Sequence, residues 1–520
     1  MKTKLHFLGV LISFLCVFPF VSQGSVFKKP KLVLVLVVDQ LRADLISTNL
    51  DLFLPPQKNG QFGGYRYLTD FGAYFPFAEY EVSHSMTCPG HAMILSGAYP
   101  YNTGIPTNEF RDPKTGKVVY CADDEKFGMS PERLQAPTFG DQLRLHNPQS
   151  RIFSVALKDR SSIMLGGKAA NQVYWFNQQK FEWVTSGYYE KNALKNLDWI
   201  KNWNNKIQPL KDSNQVWTPM LLKENFRHET KAQDPLVLGY PFGIDLAVQF
   251  TEQMIRENGI GKSEATDLLA LSISSHDISG HEFGPSAPEV KDLTLLEDRA
   301  FSKLFNLLNK QIPGGLKNVL IVLTADHGVG PTPGQALSLN LDAGVIDQKQ
   351  LVPNLNKYLE KEFGKLPNNY ILESRFFNLY YSEEFKNHKD RAKIEAFLKE
   401  LLQKEPGILH VMSEQDYLSR HLPPEIFGRQ AQKTYIPGKS GDMVYYPKPY
   451  FIDKNKPATH LTGYAYDRTV PVIFAGPGIK KGIYSDKAFV VDIVPTLSFI
   501  LGLVPPAMSE GKVLSSGVAL

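Results

Sequence analysis

Six acidic and imidazole side chains follow apolar runs or sit in a short histidine loop, and all are of the types that bind zinc. Asp39 closes the run 31–38 (KLVLVLVV). Asp277 and His281 follow the run 268–275, within HDISGH. Asp326 and His327 close 318–324, within TADHG, and His460 lies in THLTGYAYD. Carboxylate oxygen and neutral imidazole nitrogen are ligands that zinc takes, and the carboxyl ends of strands are where α/β enzymes build their sites. The set predicts metal-assisted chemistry. Asp277 and His281 are four apart, a spacing that brings both to one side of a helical turn. Asp326 and His327 are adjacent and reach a common metal only from an irregular turn. His276, between strand and ligand, reads as packing or support for the ligands.

Residues 83–95 read SHSMTCPGHAMIL, and a helical apolar pattern starts after Pro89 and Gly90. Thr87 suits the cap of that helix and Pro89 its first turn. A hydroxyl at the positive end of a helix is well placed to attack or hold a phosphate. His84 and His91 flank it and read as structural. Cys88 invites comparison with the sulfatase nucleophile, but proline follows it directly and the arginine of that pattern is missing. Lys158 and Arg160 bracket Asp159 after the apolar run 153–157. In extended chain, alternate side chains share a face, so both cations are expected to face the substrate with Asp159 turned away.

The elements that must position these groups follow one rhythm. Apolar β-rich runs recur at 31–38, 152–157, 268–275, 319–324 and 470–475, several of them continuous rather than alternating. Continuity fits strands covered on both faces. Helix-like segments at 242–258, 289–309 and 490–501 lie between them. The pattern predicts an α/β fold, a doubly wound and mainly parallel sheet flanked by helices. Two stretches break it, at about 166–234 and 334–457, and are expected as insertions forming a cap over the carboxyl edge of the sheet.

The chain has 520 residues with a formal net charge of +4, too mild for a nucleic-acid partner, and it shows no basic stripe. Residues 1–24 read as a cleaved export signal: Lys2 and Lys4, then an apolar stretch, then Ser22-Gln23-Gly24. The stretch is short for a spanning helix. The expected product is a periplasmic or secreted domain, residues 25–520, with no membrane attachment after cleavage and a monomeric state. Export leaves Cys88 and Cys121 in an oxidising compartment, where a bond between them is allowed but not required.

With Asp39, Thr87, Asp277, His281, Asp326, His327 and His460 in this order, the chain resembles the alkaline phosphatase superfamily. Within it, the likeness is to the phosphate-irrepressible, PafA-type bacterial alkaline phosphatases, carried by TCPGHA with Thr87, GIPTNEF with Asn108 and ALKDR with Lys158 and Arg160. The resemblance implies two Zn2+ ions, one held by Asp277, His281 and His460, the other by Asp39, Asp326, His327 and the Thr87 oxygen. It implies Thr87 as nucleophile, a phosphothreonine intermediate, and Asn108, Lys158 and Arg160 on the phosphate oxygens, with no magnesium. The implied activity is hydrolysis of small-molecule phosphate monoesters over a broad range. Two zinc ions, three aspartates, the lysine, the arginine and a threonine alkoxide leave about +2, which a monoester dianion balances and a diester monoanion does not. The rival readings are a nucleotide pyrophosphatase/phosphodiesterase of the same superfamily and an inactive metal-binding scaffold.

Overall fold

The computed structural model describes residues 28–194, 197–222 and 226–519, so the expected export signal lies outside the described residues. The apolar runs become the middle of a nine-stranded sheet. We number its strands in chain order: β1 (Leu32–Val38), β2 (Ala73–Glu79), β3 (Ile152–Ala156), β4 (Gln172–Asn177), β5 (Glu182–Val184), β6 (Asp267–Ile273), β7 (Val319–Thr324), β8 (Thr469–Ala475) and β9 (Gly482–Ile483). Their order across the sheet is β5-β4-β3-β6-β1-β7-β8-β2-β9. The five strands from β4 to β7 are parallel, β5 pairs antiparallel with β4, and β8 runs antiparallel between β7 and β2. The sheet is therefore mixed, and the run at 470–475 is its one internal reversal.

Every residue of β1, β6 and β7 is buried, which explains why their sequences do not alternate. Helices flank the sheet: α1 (Thr87–Ser96), α2 (Asp159–Gly166), α3 (Pro241–Asn258), α4 (Ser275–Phe283), α5 (Pro288–Gln311) and α6 (Ile493–Leu501). α3 packs on α5, whereas α1 packs on α2 and α6. The central register, Leu36 opposite Leu271 and Leu323, brings the ends of β1, β6 and β7 level. Asp39, α4 and Asp326 consequently emerge side by side.

The two irregular stretches part company. Within 166–234, expected as an insertion over the sheet, β4 and β5 instead extend the central sheet itself. The aromatic residues there serve that extension: Trp183 stacks on Phe250 of α3 with ring centroids 4.1 Å apart. Within 334–457, four antiparallel strands form a second sheet in the order Ile371–Arg375, Asn378–Tyr381, Met443–Pro447, Ile408–Ser413. It has its own apolar core, including Leu355, Leu379, Leu398 and Tyr445. This unit touches the loops after β2 and α1: Ser83 N donates to Thr434 Oγ1 (2.9 Å), Lys439 Nζ to the Gly104 carbonyl (2.6 Å), and Arg375 pairs with Glu109. Among the described residues, no helix is long and apolar enough to cross a membrane.

Candidate active site

The buried carboxylates of Asp39, Asp277 and Asp326 converge at the ends of β1, β6 and β7. Asp39 sits in the turn directly after β1. Asp277 and His281 lie on α4, one helical turn apart, with His281 Nε2 3.3 Å from Asp277 Oδ1. Asp326 and His327 lie in irregular chain just after β7. His460 arrives from a loop before β8, its Nε2 3.5 Å from the same Asp277 oxygen. The potential donor atoms of Asp39, Asp326 and His327 all fall within 4.8 Å of one another, and so do those of Asp277, His327 and His460. His327 thus stands between the two sets, its ring stacked on that of His460 at 3.5 Å.

All three histidines are held alike. Nδ1 of His281 pairs with the Ala458 carbonyl (2.7 Å), that of His460 with Ser85 O (2.7 Å) and that of His327 with Gly328 O (3.0 Å). A carbonyl only accepts, so each Nδ1 carries a proton, and in the neutral ring, the form a metal takes, Nε2 turns a lone pair inward. These lone pairs face carboxylate oxygens. His327 Nε2 lies 3.3 Å from Asp326 Oδ2 and 3.6 Å from Asp39 Oδ1, and all three atoms are buried without a hydrogen-bond partner. Lone pairs of nitrogen and carboxylate set against each other in a dry site repel unless a cation lies between them. The donor set fits a divalent metal.

The electrostatics agree. Burial, with Asp277 and Asp326 alongside, pushes the Asp39 carboxyl up. Burial works against ionisation of Asp277 as well, yet the Lys158 ammonium beside it outweighs burial and holds that carboxyl well below its usual range. Lys158 Nζ bridges the two, 2.6 Å from Asp39 Oδ2 and 2.5 Å from Asp277 Oδ2. Burial opposes its charge, but the two aspartates raise its pKa. Burial lowers His327 to about 3, which keeps the ring neutral, the form a metal needs.

Thr87 is the first residue of α1, and Met86 rather than Thr87 occupies the cap position. The threonine therefore lies one step inside the helix, in the first turn where N–H groups lack helical partners. Gly90 allows this placement, since a Cβ there would meet the Asp326 carbonyl oxygen at 2.4 Å. His91, one turn further, donates from Nδ1 to the Thr87 carbonyl (2.9 Å) and pairs through Nε2 with Ser272 Oγ (2.8 Å), with Nδ1 also 3.1 Å from Asp326 Oδ2. His84 is buried behind the site against Tyr446, its pKa lowered to about 4 by burial. His276 pairs with Glu297 of α5.

Asn108 Oδ1 accepts from Cys88 N (2.8 Å), which leaves its amide N–H2 as the free donor, and its carbonyl accepts from Cys121 N (2.9 Å). Cys88 and Cys121 are joined by a disulfide. The bond fastens the Asn108 loop to the helix that carries Thr87. The chain is not extended through Lys158-Asp159-Arg160, as the alternation argument expects: α2 begins at Asp159, with Lys158 as its cap residue. Asp159 instead accepts from Tyr120 O–H (2.5 Å), and Arg160 Nη1 donates to the same Tyr120 oxygen (3.3 Å). Arg160 Nε is buried without a partner. Tyr120 had no signal in the sequence beyond its place beside Cys121. The same holds for Tyr80, whose hydroxyl donates to the Ala325 carbonyl (2.7 Å) beneath Asp326.

The family model described as "Type I phosphodiesterase / nucleotide pyrophosphatase" matches residues 33–461. The chain is 30% identical to alkaline phosphatase PafA of Elizabethkingia meningoseptica over 93% of its own length and 94% of the relative. It is 28% identical to alkaline phosphatase PhoV of Synechococcus elongatus over 95% of this chain and 94% of that one. The crystal structure of wild-type PafA superposes with a TM-score of 0.86 at 28% identity, covering 95% of this chain and 99% of that one.

The disulfide generates a prediction. The Cys88→Ser/Cys121→Ser double variant frees the Asn108 loop. Its unfolding free energy should fall by about 3–4 kcal/mol for a 33-residue separation. KM for a phosphate ester should rise more than kcat falls, measured with denaturant melts and steady-state kinetics.

Proposed function

The chain belongs to the type I phosphodiesterase/nucleotide pyrophosphatase family of the alkaline phosphatase superfamily, and on that footing we propose that it is an exported, zinc-dependent phosphate monoester hydrolase acting through a phosphothreonine. It is a hydrolase of that superfamily, and its relatives and its buried carboxylate and imidazole donors point to metal dependence. The observation that most supports the finer reading is the set of three histidines with Nδ1 tied to carbonyls and Nε2 turned on carboxylate oxygens, two of which, Asp39 Oδ1 and Asp326 Oδ2 beside His327, are buried without a hydrogen-bond partner. Beside them lie a threonine at a helix start and two partly buried cations, Lys158 and Arg160. In this reading Asp277, His281 and His460 hold one zinc, and Asp39, Asp326, His327 and the Thr87 oxygen hold the other. When bound, the pair supplies Lewis-acid chemistry, acidifying a hydroxyl and stabilising charge on a departing oxygen.

The chain's own residues do the rest. Thr87 gives up its hydroxyl proton to solvent, attacks phosphorus in line from the first turn of α1 and takes up the phosphoryl group as the ester P–O bond breaks and the alcohol leaves, protonated by water. Asn108 directs its amide N–H2 at a non-bridging oxygen, since its carbonyl oxygen is already engaged by Cys88 N. Arg160 offers a planar fork, steadied on one side by Tyr120, and Lys158 offers a point charge. Both neutralise equatorial oxygens in a loose transition state. Water then releases phosphate and restores Thr87.

A second reading is favoured by the family description itself: a phosphodiesterase or nucleotide pyrophosphatase on the same residues. Lys158 and Arg160 speak for the monoester. Together they place two positive charges where a dianion carries one more negative charge than a diester.

Two outcomes test this. Thr87→Ala should reduce turnover of a monoester by several orders of magnitude with the zinc content, measured by mass spectrometry, essentially unchanged; a near-normal rate removes the threonine from its role. Lys158→Ala, assayed at saturating zinc, should lose about 100-fold or more in kcat/KM on a monoester and clearly less on the matching diester. Equal losses would favour the phosphodiesterase.

A further inference from the structure

Directly after Asp39, the backbone of Gln40 turns into the left-handed region, with φ 71. This is rare for a residue with a long side chain and is strained, so it persists only where the surroundings enforce it. Gln40 is also buried, 1% exposed. Its turn carries its N–H out of line with β1 and onto Asp326 Oδ1 (3.1 Å). Its side-chain amide donates to Asp277 Oδ1 (2.7 Å). One residue therefore holds a carboxylate of each ligand set, and through its neighbour Asp39 it is continuous with the third.

The amide orientation follows from chemistry, because a carboxylate only accepts and Nε2 must face it. Oε1 then points the other way, buried and without a partner, against the Cα of Gly280. A Cβ at Gly280 would come within 1.8 Å of that oxygen. Gly280 on α4, between Asp277 and His281, is the seat that the Gln40 amide occupies.

We propose that Gln40 is the positioning residue that locks the two ligand sets into one arrangement. It aims Asp277 and Asp326 as metal ligands with neutral donors, so that no further cation competes with the metals for their charge. Lysine or arginine in its place would satisfy the same oxygens but would cancel the charge that attracts the cations. Asp326 shows the result: Oδ1 is tied to Gln40, and Oδ2 is turned toward His327, with His91 Nδ1 3.1 Å from it. Asp277 is tied through Oδ1 to Gln40 and through Oδ2 to Lys158, which fixes the plane it presents to His281 and His460.

This inference rests on the reading of Asp277 and Asp326 as ligands of two cations, and the experiment separates the two. Wild type, Gln40→Gly and Gln40→Met are equilibrated with zinc against a series of chelators of graded strength, and retained zinc is measured by mass spectrometry. Melting of the metal-free proteins is measured in parallel. Gln40→Gly relieves the left-handed backbone, and its metal-free form should melt no lower than wild type. Gln40→Met keeps the volume and removes the donor. Both should bind zinc about 10- to 100-fold more weakly, the usual effect of losing a group that orients a ligand. Wild-type zinc affinity in either variant overturns the role of the amide and leaves the two-cation reading intact. A wild type that retains no zinc overturns that reading and this inference with it.

Discussion

The fold gathers three aspartates where water is scarce. Asp39, Asp277 and Asp326 are each almost fully buried, and they meet at the carboxyl edge of adjacent parallel strands. Like charges in a medium of low polarity repel strongly, and an unpaired buried carboxylate costs several kcal/mol. Lys158 offsets one charge, and among the described residues its ion pairs are with Asp39 and Asp277. The rest of the site is arranged around the remaining deficit. Histidines present lone pairs rather than protons, Gln40 and the backbone supply neutral donors, and helix α1 brings its start against Asp326. Such an arrangement attracts cations of high charge.

The remaining structure keeps this arrangement from relaxing. β1, β6 and β7 are buried on both faces, so their ends cannot drift apart without exposing apolar surface. Asp467 ties two of the histidine segments together. Its carboxylate accepts from Thr462 N (3.0 Å) and Thr462 Oγ1 (2.6 Å), and its carbonyl accepts from Gly328 N (2.7 Å), which links the His460 loop to the His327 turn. The second sheet bears on the loops that carry Thr87 and Asn108, and the disulfide joins those loops to each other. Thr87 and Asn108 are thus braced from outside the central sheet, whereas the cluster of aspartates and histidines is braced from within it.

What could be read from the sequence divides along the same line. Strands buried on both faces leave continuous apolar runs, and the acidic and imidazole residues directly after them stand out for that reason. The Asp277–His281 spacing states a helical turn, and α4 is one. Local backbone choices were harder. Thr87 is a good capping residue, but close packing of α1 on Asp326 places it one step inside the helix. Lys158-Asp159-Arg160 reads as extended chain from the strand before it, yet α2 starts at once, because Asp159 is taken up by Tyr120 and by the N–H of Arg160. β4 and β5 hid in a stretch whose Trp, Asn and Gln content looks like loop; the aromatics are edge-strand core. Gln40, Tyr80 and Tyr120 act through contacts 39 to 286 positions away in the chain, which no local pattern announces.

The central claim is that this cluster is built for a pair of divalent cations. Calorimetric titration of the metal-free protein with zinc tests it most directly. Uptake of two equivalents, with the second lost when Asp277 is replaced by asparagine, is the predicted result. Saturation at one equivalent, or no binding at all, would contradict the account.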